Sequence, residues 1–399
     1  MRYAVHKAGS AVAYCALSIK AGTRDEDGFH SGIAHFAEHT IFKGTRKKSA
    51  SVINGYLDRL GGELNAYTTK EEIVLHATVL KEDLRKAGSL LLELASSSVF
   101  PEREIETERG VVIDEIQSYK DSPADDVYDR FEERVFEGHP LSRPILGTVS
   151  SVKKITSEEL RRFVGEKFVP GLMAFTVVAP MEEESLSKVV LDIISKFYGE
   201  SEKPLPVRQL SSPSLHHFDV RVEKRNHEVN AVIGGFAPSL YEEKDRYSAI
   251  LMGNILGGPA SNSILNSILR EKNGWVYAVE TTYTQYSDSG LMAICLGCDK
   301  SNLDKCLVSV QKEILRLQTI PLSERKLAAA KKQLLGQLAI SGDNGESQCL
   351  SMGKNLLSFG RISPNGEIRE KISAITSEDI LASALSIFDK DSTSRLIFL

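Results

Sequence analysis

The sequence predicts an α+β protein made of two similar domains, and three observations support this. The chain has 399 residues, more than a single globular domain usually contains. Short strand patterns alternate with amphipathic helix patterns in both halves. In addition, the segment Ile155–Leu160 recurs as Ile375–Ile380, and Pro101 recurs as Pro321, each 220 residues later. We therefore predict an internal duplication of about 200 residues, in which each copy is an antiparallel-rich sheet with helices on one face.

The first half shows regular hydrophobic patterns along most of its length. Alternating or short apolar runs predict strands over Val12–Ile19, 63–69, Ile73–Val79 and Ala174–Val178. Apolar residues at three- and four-residue spacing predict helices over 31–43, Ser51–Leu60, Lys81–Ser96, Pro101–Tyr119, Pro123–Val135, Ser157–Lys167 and Ser185–Phe197.

A change in composition separates the two halves. Residues 198–214 are polar and contain Pro204, Pro206 and Pro213, which is typical of a linker between domains. We predict an N-terminal domain over residues 1–200, a linker over 201–214 and a C-terminal domain over 215–399. Because no histidine follows His227, the second copy cannot repeat a histidine-based metal site.

The composition excludes several classes of protein. The net charge of −5 and the pI of about 6.1 show no basic excess, so we expect no nucleic-acid partner. No run of 18 apolar residues is present, so we expect no membrane span. The five cysteines are scattered and odd in number, and no apolar leader opens the chain. These features favour reduced thiols in the cytoplasm.

The segment around which the first half is organised contains His35, Glu38 and His39. On a helix, histidines four residues apart lie on one face, so both imidazoles can approach one metal ion. Glu38 projects beside them as a carboxylate that can accept a proton from water. The alternative is a pair of structural histidines next to a surface glutamate.

A catalytic zinc site usually has a third protein ligand. The helix predicted over 101–119 carries several carboxylates, and most of them must face solvent. Glu115 lies beside the apolar stripe that contains Val112 and Ile116, so it ranks first, with Glu108 and Asp114 behind it.

With these residues in place, the chain resembles the insulinase-like (pitrilysin-type, inverzincin) zinc metallopeptidases, especially short bacterial members similar to the mitochondrial processing peptidase. That family places a ligand glutamate about 76 residues after the His-x-x-Glu-His motif, and Glu115 lies 76 residues after His39. A supporting glutamate seven residues earlier is matched by Glu108. The alternative for Glu108 is a plain surface carboxylate.

The resemblance extends to the second half. Family members carry an arginine and a tyrosine seven residues apart that reach the substrate, and Arg270 and Tyr277 match this spacing. The segment containing Asn65 and Ala66 resembles the edge strand to which an extended substrate adds. For Arg270, the alternative is a surface arginine in a charged run. For Tyr277, it is an aromatic residue in the core of a strand.

The resemblance implies two domains that face each other as a clamshell, with one Zn²⁺ per chain held by His35, His39 and Glu115. Glu38 would take a proton from the zinc-bound water, and peptides or unfolded segments enclosed between the domains would be hydrolysed. Peptide substrates are the expected partners, and a homodimer is compatible with the sequence. Two rival functions stay open: a non-catalytic scaffold or partner subunit, and a zinc hydrolase for a modified small molecule.

Overall fold

The structure is a computed structural model that describes residues 1–199, 208, 210–214, 216–224 and 228–399. The strands of the chain are β1 Arg2–Lys7, β2 Val12–Ile19, β3 Glu63–Thr68, β4 Ile73–Leu80, β5 Met173–Ala179, β6 Asp219–Val222, β7 Val229–Ala237, β8 Val276–Gln285, β9 Gly290–Cys298 and β10 Ser394–Phe398.

The helices lie between these strands, partly in runs of several consecutive helices. The helices of the first half are α1 Ile33–Thr40, α2 Ala50–Asp58, α3 Leu84–Ser97, α4 Glu102–Asp121, α5 Pro123–Val135, α6 Val149–Val152, α7 Ser157–Lys167 and α8 Glu183–Phe197. Those of the second half are α9 Glu243–Gly257, α10 Leu303–Thr319, α11 Glu324–Gly342, α12 Gly345–Phe359, α13 Asn365–Ala374 and α14 Ser377–Ile387, and a π-helical segment covers Asn266–Lys272. The observed bounds of β2, α5 and α7 equal the predicted ones.

The chain forms two compact units. The first unit comprises residues 1–117, 143–208 and 339–363, and the second comprises 118–142, 209–338 and 364–399. In the described part of the chain, each unit contains one five-stranded mixed sheet. The strand order is β1-β5-β2-β4-β3 in the first unit and β6-β10-β7-β9-β8 in the second. The same order, reached by the same sequence of elements, supports the predicted duplication.

In the first unit, β1 pairs with β5 in parallel and the remaining pairs are antiparallel. One face of the sheet, with Leu17, Leu75 and Phe175, packs against α3 and α8 in the main core. This agrees with the α+β architecture predicted from the sequence. Strand β3 lies at the end of the strand order, so one of its two edges has no neighbouring strand among the described residues.

The opposite face of the first sheet is also buried. Ala16, Val74 and Val178 contact Cys349 and Met352 of α12, a helix that lies far along the chain. In the second unit, α5 covers the corresponding face of the sheet, where Phe131 packs with Val232 and Leu396. Each unit therefore includes a helix from the other half of the sequence.

This exchange corrects the predicted domain boundaries of 1–200 and 215–399. Residues 118–142 belong to the second unit and residues 339–363 to the first. The physical reason is that strands such as β5 are apolar on both faces, so a second helical layer must exclude water from the sheet. Most of the predicted linker over 201–214 lies outside the described residues. Among the described helices, none is both long enough and apolar enough to cross a membrane.

Candidate metal centre

The short helix α1 presents both histidines of the motif, and a buried carboxylate fixes its beginning. The two Glu26 oxygens accept hydrogen bonds from the backbone N–H groups of Gly32 and Ala34, at 3.0–3.1 Å. Burial raises the pKa of Glu26 to about 8. Gly32 has a φ of 88°, and a Cβ atom there would lie 2.7 Å from the Leu146 carbonyl oxygen, so glycine is required.

Helix α4 brings the predicted third ligand to these histidines. Glu115 Oε2 lies 3.6 Å from His35 Nε2 and 3.3 Å from His39 Nε2. One ligand atom from each of the three side chains lies within 4.8 Å of the others. Burial, with a further contribution from neighbouring His39, lowers the pKa of His35 to about 3, so this imidazole is neutral and can act as a ligand.

Two buried polar atoms at this cluster have no hydrogen-bond partner among the described residues. They are Glu115 Oε2, which faces both imidazoles, and Nδ1 of His35. A buried carboxylate oxygen normally has a donor, because leaving it without one costs free energy. A cation held by His35, His39 and Glu115 would satisfy the Glu115 oxygen, so these residues fit a zinc ion.

Glu108 lies behind His39. Its Oε1 atom is 2.9 Å from His39 Nδ1, and its Oε2 atom is 2.6 Å from Lys43 Nζ. Burial alone would raise the pKa of Glu108, but the hydrogen bonds from His39 and Lys43 lower it. The Glu108 side chain is buried, so it is not the plain surface carboxylate that was the alternative. Such a carboxylate fixes the orientation of a ligating imidazole.

Glu38 points to the same region but lies outside the group of three ligand atoms. One of its oxygens, Oε2, accepts a hydrogen bond of 2.9 Å from Thr68 Oγ1 at the end of β3. Burial raises the pKa of Glu38, although the Thr68 hydrogen bond and the charge of His39 act in the opposite direction. A raised pKa makes the carboxylate a stronger base, as a proton acceptor requires.

The predicted substrate-binding residues lie in both units. Asn65 and Ala66 are in β3, whose outer edge pairs with no strand among the described residues, and Asn65 is exposed. Arg270 is exposed in the π-helical segment of the second unit. Tyr277 is in β8, which is likewise at the end of its sheet.

A β-bulge sets the direction of the Tyr277 side chain. The register of β8 against β9 shifts between Val276 and Ala278, which leaves Tyr277 as the extra residue. Tyr277 is 60% exposed, so the alternative of a core aromatic is wrong. Its hydroxyl donates a hydrogen bond of 2.8 Å to Asp299 Oδ1, and this bond raises the pKa of Tyr277.

The structure thus brings His35, Glu38, His39, Glu108 and Glu115 together in the first unit, whereas Arg270 and Tyr277 lie in the second. The sequence did not single out Glu26, Lys43 and Thr68. These residues lie within three short segments whose sequences also resemble the family, namely Ala21–Glu26, Phe42–Thr45 and Leu64–Thr68, and this resemblance is the signal that could have found them.

The fold and the cluster define a duplicated α+β protein in which, among the described residues, one of the two copies carries a candidate metal centre. Residues 3–149 match the model of Insulinase (Peptidase family M16), and residues 154–334 match the Peptidase M16 inactive domain. The chain belongs to this peptidase family.

Individual relatives agree with this assignment. The chain is 31% identical to an uncharacterized zinc protease of Rickettsia felis, over 96% of this chain and 91% of the relative. A protease from Helicobacter pylori has a similar fold, with a TM-score of 0.91 and 19% identity over 100% of this chain and 96% of that one. A chain of complex III2 from Candida albicans is also similar, with a TM-score of 0.83 and 20% identity over 99% and 93% of the two chains.

Proposed function

We propose that this protein is a zinc-dependent endopeptidase that hydrolyses peptides or unfolded segments of proteins. The observation that carries the proposal is the cluster of His35, His39 and Glu115, whose ligand atoms lie within 4.8 Å of one another. The buried Glu115 Oε2 atom, which has no hydrogen-bond partner among the described residues, supports a cation at this position. Membership of a peptidase family supports peptides as the substrates.

The ligand set is that of a catalytic zinc site. Two neutral imidazoles and one carboxylate are three protein ligands, and such sites keep a further position open. We expect one zinc ion per chain. When bound, zinc supplies Lewis acid chemistry, which polarises a carbonyl group and makes water more acidic.

Glu38 is proposed as the general base. The Thr68 hydroxyl binds Oε2 and so orients the carboxylate, which leaves Oε1 to accept a proton from water. The same carboxylate then passes that proton to the leaving amine. Burial raises the pKa of Glu38, which favours the protonated form that this second step needs.

Glu108 is proposed as a positioning residue. Its hydrogen bond with His39 Nδ1 leaves Nε2, the atom that faces Glu115, available as the metal ligand. Lys43 holds the second oxygen of Glu108, so the carboxylate has a single orientation.

Substrate binding is proposed to use the backbone more than side chains. The unpaired edge of β3, with Asn65 and Ala66, can take an extended peptide as an additional strand, which implies broad tolerance of sequence. We propose that Arg270 and Tyr277 donate hydrogen bonds to carbonyl oxygens of the peptide. Tyr277 would also stabilise the oxyanion that forms during hydrolysis.

The test uses purified full-length protein, elemental analysis and a mixed peptide pool whose products are identified by mass spectrometry. We expect about one zinc per chain and internal cleavage of peptides. A strong chelator should abolish cleavage, and zinc should restore it.

If the protein binds zinc but cleaves no peptide in the pool, the proposal of endopeptidase activity is contradicted. That result would favour the non-catalytic partner subunit, whereas hydrolysis confined to modified small molecules would favour the other zinc hydrolase.

A further inference from the structure

A cavity of about 540 Å³ lies in the second unit, away from the residues assigned so far. It is bounded by α9, by the segment around Asn266–Lys272, by the end of α10 and by the start of α11. Its volume is in the range of sites that bind small molecules. None of the metal-binding or substrate-binding residues proposed above lines it.

The walls of this cavity are largely apolar. Branched side chains line it from four segments of the chain, namely Ile255, Ile264, Ile268, Leu317 and Leu322. A ligand that fills the cavity must therefore offer an apolar body, because burying polar groups against such walls without partners costs free energy.

The side chains that line the cavity carry more positive than negative charge. Glu313 is buried, and its Oε2 atom lies 3.5 Å from Arg316 Nη1. The Arg316 side chain is half exposed, so most of its N–H donors remain available to a ligand. Lys326 also lines the cavity, and no ion pair engages it within the described residues. Two cations and one carboxylate leave one net positive charge, and the carboxylate already faces a cation.

From this arrangement we infer that the cavity binds an apolar carboxylate, with the apolar chain against the isoleucines and the carboxylate held by Arg316 and Lys326. A cationic ligand fits less well, because Glu313 is already opposed by Arg316. Two sources share this chemistry: the free C-terminus of an apolar peptide and a fatty acid. The inference concerns binding alone and does not depend on the proposed peptidase reaction.

The position of the cavity gives a natural reporter of binding. The segment Asn266–Lys272 contributes Ser267 and Ile268 to the wall. Trp275, the single tryptophan of the chain, lies three residues after Lys272. Its backbone N–H donates to the Leu269 carbonyl oxygen at 2.9 Å. A ligand that moves this segment should change the fluorescence of Trp275.

Binding is measured by calorimetry and by Trp275 fluorescence on the full-length chain, with Glu38→Gln as background so that peptides stay intact. The probes are N-acetyl-Leu-Leu-Ile as the free acid, the same peptide as the C-terminal amide, and decanoate. We expect at least one of the two acids to bind saturably and the amide to bind at least about tenfold more weakly, since it lacks the charge.

Matched variants locate the site. Arg316→Gln and Lys326→Gln should each raise the Kd of the acid about tenfold or more, and Ala330→Leu should reduce binding by filling the cavity. Lys312→Gln and Arg325→Gln lie on the same two helices, are exposed and do not line the cavity, so they should leave the Kd unchanged.

The outcomes separate cleanly. Tighter binding of the peptide acid identifies a peptide C-terminus as the ligand, and tighter binding of decanoate identifies a fatty acid. The inference is overturned if neither acid binds in calorimetry, if the peptide acid binds and its amide binds equally well, or if Arg316→Gln and Lys326→Gln both keep the parent Kd.

Discussion

The two units have the same strand order and differ in the helices that the metal centre requires. In the first unit, α1 covers only Ile33–Thr40, while its counterpart α9 in the second covers Glu243–Gly257. An eight-residue helix has little stability of its own, so α1 depends on Glu26 and on tertiary packing. The longer α9 carries no histidine.

Helix α4, which contacts α1 through Glu115, and helix α11, which contacts α9 through Gln337, also differ in the residues that the candidate metal centre uses. Counted from the first residue of each helix, Glu115 corresponds to Gln337 and Glu108 to Ala330. Where the first unit directs a carboxylate at two imidazoles, the second has a neutral pair in which Asn254 Nδ2 donates to Gln337 Oε1 at 2.7 Å.

This comparison indicates that the fold does not depend on a metal ion, because one of its two copies lacks the candidate ligands. One copy packs the same sheet with amides and apolar residues, and the other places a few charged side chains at the same junction. We therefore expect the candidate metal centre to be an addition to a framework that is stable without it. Losing the metal should remove activity and leave the first unit folded.

The largest effect is expected from His39→Ala, which removes a ligand. Bound zinc should fall well below one per chain and peptide cleavage should be lost, because two ligands cannot hold the ion. Glu115→Gln, which introduces the residue found in the second unit, should also weaken zinc binding sharply. Elemental analysis and a quenched peptide substrate measure both properties.

Asp114→Asn is the control for these variants, because Asp114 is the exposed carboxylate next to Glu115. It should keep zinc and activity. If His39→Ala unfolded the protein, as judged by circular dichroism, the conclusion that the framework is independent of the metal would be wrong.

Glu38→Gln should have the next largest effect. The variant keeps the shape of the side chain and loses the proton acceptor, so kcat should fall by about two to four orders of magnitude. Zinc content should stay at that of the parent, because Glu38 lies outside the ligand group. Turnover close to that of the parent, or loss of zinc, would exclude Glu38 as the base.

Changes in the second unit should have smaller effects. Tyr277→Phe removes one hydroxyl donor and should lower kcat by roughly ten- to a thousandfold, as for loss of an oxyanion donor. Arg270→Ala should act mainly by raising KM, since its proposed partner is a carbonyl of the bound substrate. Both variants should retain zinc.

The controls are Tyr241→Phe, an exposed tyrosine outside β8, and Lys272→Ala, two residues after Arg270. Parent kinetics in both Tyr277→Phe and Arg270→Ala would leave the second unit without a direct role in the reaction.

Sequence patterns predicted what depends on local spacing. The bounds of β2 and α7, and the inward position of Glu115 beside Val112 and Ile116, follow from strand and helix periodicity. The candidate ligands could be predicted from the sequence for the same reason. His35 and His39 share one helix face, and Glu115 lies on another strongly periodic helix.

What the sequence did not predict depends on packing between distant segments. The contacts of Glu38 with Thr68 and of Glu108 with Lys43 join residues that are far apart in the sequence, and their spacing follows neither helix nor strand periodicity. The exchange of α5 and α12 between the units is another case. Which helix covers the second face of a sheet depends on how the chain returns to it, and local pattern carries no information about that.

Lys43→Met tests one of these unpredicted contacts and should have a modest effect. Without the ammonium group, Glu108 loses the partner of one oxygen and holds His39 less firmly. Zinc affinity should fall by about tenfold, with kcat at saturating zinc changed only a few-fold. Lys47→Met, an exposed lysine nearby, is the control. Equal zinc affinities of the two variants would show that Lys43 does not support the ligand.

The smallest effect on activity is expected from Glu26→Gln, which tests how the short helix α1 is held. The amide oxygen can still accept hydrogen bonds from Gly32 and Ala34, so activity should change only a few-fold. Stability should differ in its pH dependence. Burial raises the pKa of Glu26 from 4.5 to about 8 in the folded protein, so its favourable contribution is present below pH 4.5 and is lost as the pH rises through 8. The glutamine has no such loss, and the urea midpoint of the variant should therefore rise relative to the parent between pH 5 and pH 8.

Asp27→Asn, an exposed neighbour, should follow the parent. Parallel profiles for Glu26→Gln and the parent would mean that the Glu26 carboxyl titrates normally, and the comparison of α1 with α9 would need another explanation for the stability of the shorter helix.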